Sequence, residues 1–275
     1  MEHIDWDDLD PAVRDAIQER TGAVHRARTA AAGLNSRLAL ILDTATGTVF
    51  VKGLPADHSG AVRQQREAMI NPHVRPVAPA LLWHAHDTGW DLLGFQYIPG
   101  ARHADYTPAS PDLPQVAAVM NRLHQIPCPP GLPVKDATQR WASYLDGGTA
   151  AVFAGDHLLH TDFNPLNILI TPAAAWIIDW AWPTRGAAFI DPACFLIRLI
   201  SHGHTPEGAE QWASHCAAWA GAPRGAVDAF ATASARLYTE IAAEDPQPWK
   251  RRLAKAAHRW AAHRGVPIHQ RLPSR

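Results

Sequence analysis

The sequence predicts an α+β fold in two parts, in which a small antiparallel sheet with one helix precedes a larger, mainly helical region. Three observations support this prediction. Strand-like alternation is confined to the chain before residue 99, the dipeptide Pro99-Gly100 then interrupts the pattern, and helical periodicity dominates after it. A chain of 275 residues is long enough to bury the cores of both parts.

The N-terminal part is predicted to begin with a helix and to continue as a sheet. Asp10 and Pro11 are typical of an N-cap and a first helical residue, and this helix should end near Gly22. Strand-like segments follow at 37–42, 48–52, 80–84 and 91–98, and residues 43–47 form a hairpin turn between the first two. The sheet has five strands if the segment before Arg28 also pairs.

A second helix is predicted from Gly60 onward, and it carries Glu67. We expect this helix to end before the dipeptide Asn71-Pro72. The apolar residues available for its inner face are Val62, Met69 and Ile70.

The C-terminal part is predicted to be built from helices. One covers about 113–124 and places Val116, Val119, Met120 and Leu123 on a core-facing side. After the cap Thr205-Pro206, further helical segments are predicted at 207–220, 226–243 and 248–263. These patterns divide the chain into an N-terminal lobe (1–95), a hinge (96–100) and a C-terminal lobe (101–275).

One loop motif points to chemistry. His160, Asp162 and Asn167 form an H-x-D-x-x-x-x-N pattern just before a short apolar run. This pattern is typical of the catalytic loop in kinase-type phosphoryl transfer. In such a loop Asp162 meets the acceptor hydroxyl, and Asn167 holds a metal ion on the nucleotide phosphates.

A second acidic residue follows the motif. Asp179 ends a hydrophobic strand twelve residues after Asn167, beyond a Thr171-Pro172 turn. A hairpin of this length would return Asp179 beside Asn167, so that a carboxylate and an amide oxygen can share Mg²⁺. The alternative is that Asp179 is a turn residue at a strand end.

Lys52 is the third candidate. The chain has only four lysines, and this one lies in an apolar, β-branched strand. An ammonium group there needs an anionic partner, because burying an unpaired charge is costly. Glu67, fifteen residues later, can provide that partner. The alternative is a solvated lysine at a strand edge and a surface glutamate.

In this order and at these separations, the motifs make the chain resemble the aminoglycoside phosphotransferase family of small-molecule kinases, which has the bilobal protein-kinase-like fold. The resemblance runs from about Gly22 to past Pro192, and it includes Asp191 in the run Phe-Ile-Asp-Pro-Ala. It implies ATP between the lobes, with Lys52 on the phosphates and Glu67 orienting that lysine. It also implies Mg²⁺ on Asn167 and Asp179, and a structural role for Asp191 in bracing the catalytic-loop backbone.

The resemblance implies further nucleotide contacts. The main chain of Gln96 and Ile98 would bind the adenine edge in the hinge. The segment 28–37 lacks the G-x-G-x-x-G of many kinases and has a single glycine, Gly33. Small side chains there still let backbone N–H groups approach phosphates, and Ser36 can add a hydroxyl. A further departure is Thr161, which stands where regulated protein kinases carry an arginine.

The implied activity is ATP-dependent transfer of a phosphate to a hydroxyl of a small molecule. The acceptor expected from the resemblance is an aminoglycoside or another amine-bearing antibiotic, and the six acids against two arginines between Gly203 and Pro248 suit a cationic acceptor. Two alternatives stay open. One is a metabolic kinase for a sugar, an amino alcohol or an amino acid. The other is an inactive nucleotide-binding pseudokinase, which is disfavoured because the five expected positions carry competent residues.

Composition excludes several other classes. The net charge of −1, with interleaved acids and bases, gives no nucleic-acid footprint. The basic stretch 250–275 is interpreted as an amphipathic helix docking through Trp249, Leu253 and Trp260, or alternatively as a contact for an anionic substrate group. No apolar run approaches the length of a membrane span.

The remaining features predict a cellular compartment. The acidic N-terminus lacks the pattern of a signal peptide. Three cysteines without a C-x-x-C pair argue against a disulfide framework or a structural zinc site. We therefore expect a cytoplasmic monomer with no membrane partner, whose partner is a small-molecule acceptor.

Overall fold

The computed structural model describes residues 3–30, 36–146 and 149–266. The chain divides into two compact units. The first comprises Met1–Arg102 together with Trp176–Ala181, and the second comprises His103–Ala175 and Trp182–Arg275. The predicted α+β class is confirmed. The first unit extends beyond the predicted hinge, and it takes in a short segment from much later in the chain, the one that carries Asp179.

The first unit is built on a five-stranded antiparallel sheet with the strand order β1-β2-β3-β5-β4. The fifth strand that the sequence left open is present as β1. The elements in chain order are α1 (Pro11–Thr21), β1 (Val24–Thr29), β2 (Leu38–Thr44), β3 (Gly47–Pro55), α2 (Ala61–Val74), β4 (Leu81–Ala85) and β5 (Trp90–Gln96).

Local sequence explains how these elements form. The Asp10 side chain caps α1 by accepting a hydrogen bond from Ala12 N at 2.8 Å, and Gly22, with a φ of 81°, ends the helix. Alternate residues of the strands point to one side and bury a common core with α1. This core contains Val13, Ile17, Leu38, Leu40, Leu42, Val49, Val51 and Leu92.

Helix α2 differs from its prediction in two ways. It does not end before Asn71-Pro72 but continues to Val74 with Pro72 inside it. The proline lies in the last turn, and the Asn71 side chain fixes that turn by donating to Pro79 O at 2.8 Å and accepting from Leu81 N at 2.7 Å. The predicted inner face was also wrong for two residues, since Val62 is 52% exposed and Met69 is 45% exposed.

The buried side of α2 is unusually polar. Ile70 is buried as predicted, but Gln64 and Glu67 are buried beside it. A polar side chain in such a place requires a bonded partner, because the loss of hydration is otherwise uncompensated. Gln64 donates to the main chain and the side chain of Asp91, both at 2.6 Å.

The second unit is mainly helical. Short strands accompany its helices, and β11 pairs with β8 in antiparallel and with β7 in parallel orientation. The remaining elements of the chain are β6 (Arg102–His103), α3 (Leu113–Leu123), β7 (Lys135–Asp136), α4 (Ala137–Arg140), β8 (His157–Leu159), β9 (Ile168–Ile170), β10 (Ala175–Ile177), β11 (Thr184–Gly186), α5 (Ile190–Ser201), α6 (Pro206–Ala213), α7 (Ala217–Ala220), α8 (Arg224–Glu244) and α9 (Pro248–His263).

Helix α5 lies at the centre of this unit. Nearly all of its residues are buried, and it packs against α6, α8 and α9. A helix that is apolar on all sides is typical of a core element. The predicted core face of α3 is confirmed, whereas the segment predicted as one helix over 207–220 is broken into α6 and α7.

The predicted docking helix at the C-terminus is α9. It buries Leu253 and Trp260, but Trp249 is 40% exposed and does not belong to its inner face. The stretch beyond residue 266 lies outside the described residues. Among the helices that the structure describes, none combines the length and the apolar character that a membrane crossing needs.

The sheet of the first unit provides a test of this packing. Gly94 on β5 lies opposite Trp83 on β4, and a Cβ atom added to Gly94 would lie 2.2 Å from the Trp83 ring. We expect Gly94→Ala to lower the free energy of unfolding by about 1–3 kcal/mol, because the rigid indole must move. Urea unfolding measures the change.

Gly221→Ala is the control, since a Cβ atom there meets no atom within 4 Å. Its free energy of unfolding should stay close to that of the wild type. Equal losses in both variants would contradict the described packing of β4 against β5.

Candidate active site

Three of the predicted site residues meet in the first unit. Lys52 on β3 forms an ion pair with Glu67 on α2, and its Nζ lies 3.5 Å from Asp179 Oδ1. The lysine side chain is 12% exposed and that of Glu67 is 5% exposed. The predicted pair of Lys52 and Glu67 is therefore formed, and the alternative of a solvated lysine with a surface glutamate is wrong.

The charges in this cluster determine the protonation of Lys52. Burial opposes the charged ammonium, but the carboxylates of Glu67 and Asp179 outweigh burial and raise the pKa of Lys52. Burial also raises the pKa of Glu67, against the opposing effect of Lys52. The Nζ of Lys52 further lies 5.9 Å from the centroid of the Phe95 ring. The structure thus presents a fixed, charged ammonium group, which is the property that phosphate binding needs.

Asp179 is held by local backbone contacts. Its φ of 61° lies in the left-handed region, which most L-residues avoid. The next residue, Trp180, donates a backbone hydrogen bond to Glu67, and Ile177 N donates to Val77 O at 2.7 Å. These contacts attach the Asp179 segment to the same unit as Lys52.

Asp162 and Asn167 meet in the second unit, on the loop between β8 and β9. The Asn167 Nδ2 donates to the Asp162 main-chain oxygen and to Asp162 Oδ2, both at 3.1 Å. The side chain of Asp162 is 33% exposed, so it remains accessible to a substrate. With its amide nitrogen turned toward Asp162, Asn167 keeps its side-chain oxygen as a separate acceptor.

Asp191 braces this loop, as predicted. Its carboxylate is fully buried and accepts from His160 N at 3.2 Å and from Thr161 N at 2.8 Å. Thr161 has a φ of 64°, which is strained for a β-branched residue. Such strain persists only where surrounding contacts over-determine it. The two bonds to Asp191 are part of that restraint, and they confirm a structural role for this residue.

Two arginines of this site were missed by the sequence reasoning. Arg198 on α5 donates from Nη2 to Asp162 Oδ1 at 2.7 Å, and its side chain is 12% exposed. Arg140 donates to the hydroxyls of Thr161 at 2.6 Å and Thr184 at 2.7 Å. A signal for Arg198 was available, because it is the single basic residue in the apolar helix α5. The argument that identified Lys52 applies to it equally.

The pKa values of the two arginines shift in opposite directions. Burial alone would lower the pKa of Arg198, but Asp162 outweighs burial and raises that pKa. Burial lowers the pKa of Arg140, which has hydroxyl and carbonyl partners. Arg198 therefore places a permanent positive charge on one oxygen of Asp162.

The remaining predicted nucleotide-contact residues, Ser36, Gln96 and Ile98, belong to the first unit. Ser36 is buried just before β2. Gln96 ends β5 with its N–H donating to Ala80 O at 2.8 Å, and Ile98 O accepts from Ala101 N at 3.3 Å. The central part of the predicted phosphate loop, residues 31–35, lies outside the described residues. Ligand contacts of these residues stay predictions.

The late acids do not form a free negative surface. Three of the six acids noted between Gly203 and Pro248 form ion pairs with basic side chains of the same unit. These pairs are Glu210 with Arg264 at 3.1 Å, Asp228 with Arg264 at 2.6 Å, and Asp245 with Lys250 at 2.7 Å. A fourth acid, Glu207, lies 2.9 Å from His263 Nδ1. The excess of acids in the sequence therefore gives little support to a cationic acceptor.

The buried pair in the first unit leads to a stability prediction. Lys52→Met should lower the free energy of unfolding by about 3–5 kcal/mol, because Glu67 would remain buried without a counter-charge. The double variant Lys52→Met with Glu67→Met should recover part of this loss. The deficit of Lys52→Met should also shrink as the pH falls, since a protonated Glu67 carries no charge to bury.

Urea unfolding at neutral and mildly acidic pH provides the measurement, with the exposed Lys255→Met as the control. A double variant that is less stable than Lys52→Met would show that Glu67 does not depend on the lysine.

No family model and no curated protein sequence matches the chain. Solved structures do match. The choline kinase LicA from Streptococcus pneumoniae has 14% identity and a TM-score of 0.65, with 92% of this chain and 98% of that chain covered.

Two aminoglycoside phosphotransferases are also similar in structure. The one from Alicyclobacillus acidocaldarius has 13% identity and a TM-score of 0.64, covering 94% of this chain and 96% of its own. Aminoglycoside phosphotransferase APH(4)-Ia has 12% identity and a TM-score of 0.57, covering 90% and 98%. At these identities the likeness is one of fold. The chain has the protein-kinase-like α+β fold of the aminoglycoside phosphotransferases and of choline kinase, as its motifs predicted.

Proposed function

We propose that the protein is an ATP- and Mg²⁺-dependent phosphotransferase that acts on a hydroxyl of a small molecule. The observation that carries this proposal is the environment of Asp162. One of its carboxylate oxygens is bound to Arg198 and the other to Asn167. The loop beneath it is fixed by a buried aspartate. A carboxylate held this way is suited to align a hydroxyl and to receive its proton, a role worth about 10²–10⁴ in rate.

The nucleotide is assigned to the first unit. Lys52 keeps its charge and is fixed by Glu67, which is the arrangement that kinases use to hold ATP phosphates. Similar structures support an adenine nucleotide, since LicA has been solved with AMP and APH(4)-Ia with ADP and hygromycin B. Ser36 and the small side chains near it are proposed as further phosphate contacts.

The main chain near Pro99 is proposed to bind the adenine edge. The N–H of Gln96 is already used by Ala80 O, and the carbonyl of Ile98 by Ala101 N. Adenine would therefore use the carbonyl of Gln96 and the N–H of Ile98. This pair offers one acceptor and one donor, which complements the amino group and the ring nitrogen of adenine.

Asn167 and Asp179 are proposed as the ligands of Mg²⁺. Their donor atoms fit this ion, because carboxylate and amide oxygens are the hard ligands that it prefers. Asn167 is oriented by its bonds to Asp162, and Asp179 is 24% exposed. When bound, the ion would neutralise charge on the transferring phosphate.

The proposed acceptor is an amine-bearing alcohol, with an aminoglycoside or another amine-bearing antibiotic as the first candidate. The fold is shared with aminoglycoside phosphotransferases. A metabolic kinase for an amino alcohol is the second candidate, and the likeness to choline kinase favours it. The five filled functional positions make a catalytically inactive pseudokinase the weaker alternative.

An acceptor panel should distinguish these candidates. We expect purified protein with ATP and Mg²⁺ to release ADP in the presence of at least one amine-bearing alcohol, because Asp162 can activate its hydroxyl. The panel contains aminoglycosides, other amine-bearing antibiotics, choline and related amino alcohols, amino acids and neutral sugars. Turnover limited to amino alcohols would indicate a metabolic kinase and not an antibiotic-modifying enzyme. The variant Asp162→Ala serves as the blank for contaminating kinases.

The two carboxylates should respond differently to substitution. Asp162→Asn keeps the shape but removes the charge, so turnover should fall by roughly 10² or more while Mg²⁺-nucleotide binding stays close to intact. Asp179→Asn should weaken metal-dependent nucleotide binding as well as turnover, because it removes charge from the metal.

Calorimetric titration with a non-hydrolysable ATP analogue, with and without Mg²⁺, measures the binding. If Asp162→Asn abolished binding and Asp179→Asn did not, the two roles would be reversed. If both variants kept full turnover, the protein would not be a kinase of this type.

A further inference from the structure

A second group of metal-binding side chains lies at the hairpin of β4 and β5. It consists of His84 on β4, His86 just after that strand and Asp91 on β5, and we refer to it as the hairpin cluster. His84 Nε2 lies 3.1 Å from Asp91 Oδ1, and His86 Nδ1 lies 3.3 Å from Asp91 Oδ2. The three candidate ligand atoms all lie within 4.8 Å of one another.

The chemistry of these groups suits a borderline-soft divalent cation. Two imidazole nitrogens and one carboxylate oxygen are a common three-residue ligand set for zinc. Bonds of about 2.0–2.2 Å in a tetrahedron place neighbouring ligand atoms about 3.3–3.6 Å apart. The two histidine-to-aspartate distances, each to a different carboxylate oxygen, are close to this range, and the three candidate ligand atoms lie within 4.8 Å of one another. Side-chain adjustment would therefore be enough to bring the three groups onto one ion.

Asp91 is the strongest argument for a ligand. Its side chain is fully buried, yet within the described residues no hydrogen bond reaches its Oδ2 atom. A buried carboxylate oxygen without a donor is costly. The two oxygens of this carboxylate each face one imidazole nitrogen, Oδ1 that of His84 and Oδ2 that of His86.

The hairpin cluster has a neighbouring side chain that orients one of its ligands, as metal sites usually have. Gln64 on α2 donates to Asp91 Oδ1 at 2.6 Å and orients the carboxylate. Hydrogen bonds of this kind fix ligand orientation in many metal centres. The side chain of His86 is 52% exposed and that of His84 is 22% exposed. An ion can therefore reach the cluster, and water can supply a fourth ligand.

We propose that His84, His86 and Asp91 form a binding site for a zinc-class divalent ion, distinct from the Mg²⁺ proposed for phosphoryl transfer. The ion would bind Asp91 Oδ2, which receives no hydrogen bond from the described residues, and it would link β4 to β5. Through Gln64 it would also stabilise α2, which carries Glu67 one turn later. This proposal rests on the geometry of the cluster and does not depend on the proposed kinase activity.

The test uses the full-length protein without a histidine tag, after removal of metal by a chelator. Calorimetric titration with Zn²⁺ at neutral pH should show one tight equivalent, and Zn²⁺ should raise the melting temperature. His86→Ala should weaken this binding by about 10-fold or more, and Gln64→Ala by about 10-fold. Millimolar Mg²⁺ should not compete, since it prefers oxygen ligands.

His25→Ala is the matched control, because His25 is an exposed histidine of the same sheet. This variant should bind Zn²⁺ as the wild type does. Because His86 is largely exposed, its alanine variant should fold, and its unliganded melting temperature checks this. The proposal would be overturned if the wild type did not bind one equivalent of Zn²⁺ tightly, or if His86→Ala bound Zn²⁺ as well as the wild type does. The three side chains would then form a charge network without a metal ion.

Discussion

In each of the two units, a buried cation paired with acids holds the candidate functional carboxylates. Lys52 in the first unit and Arg198 in the second lie in apolar elements; Lys52 is bound to two carboxylates and Arg198 to one. Neither cation could be buried without its partners, and each of the three acids would lose an orienting contact without its cation. The position of each functional carboxylate is therefore set by a charge that the core of its own unit holds in place.

Helix α5 restrains the loop of Asp162 at two points. Asp191 and Arg198 are two turns apart on the same face of the helix. The first holds the main chain of the loop, including the strained Thr161, and the second holds the Asp162 side chain. A core helix with little exposed surface thus fixes both the backbone and the acid of the loop. Strain at Thr161 is the cost of presenting Asp162 at that point.

Much of this arrangement could be predicted from the sequence because motif spacing is a local property. The separation of Asp162 from Asn167 fits a single loop, and an apolar strand around Lys52 requires an anionic partner nearby. The bracing role of Asp191 followed from resemblance and is confirmed by its two backbone hydrogen bonds. The strands of the first sheet followed from alternation.

Other features depend on tertiary contacts that no local pattern contains. Helix α2 continues through Pro72 because the Asn71 side chain bonds to the following strand. Its buried face carries Gln64 in place of Val62 because Asp91, 27 residues later, offers acceptors. The excess of late acids suited a cationic acceptor in the sequence, but Lys250 on α9 and Arg264 just after it pair with three of them. The acceptor therefore cannot be identified from charge counts.

The most direct test of this account is the effect of Arg198 on turnover compared with nucleotide affinity. If Arg198 orients Asp162, Arg198→Met should lower turnover on the order of 10²-fold, while the affinity for the Mg²⁺-ATP analogue stays unchanged. Arg198→Lys should recover part of the loss because it keeps the positive charge. The recovery should be incomplete because lysine lacks the planar guanidinium group. Wild-type turnover in Arg198→Met, or a loss of nucleotide affinity as large as the loss of turnover, would contradict the claim that this buried arginine positions the catalytic carboxylate.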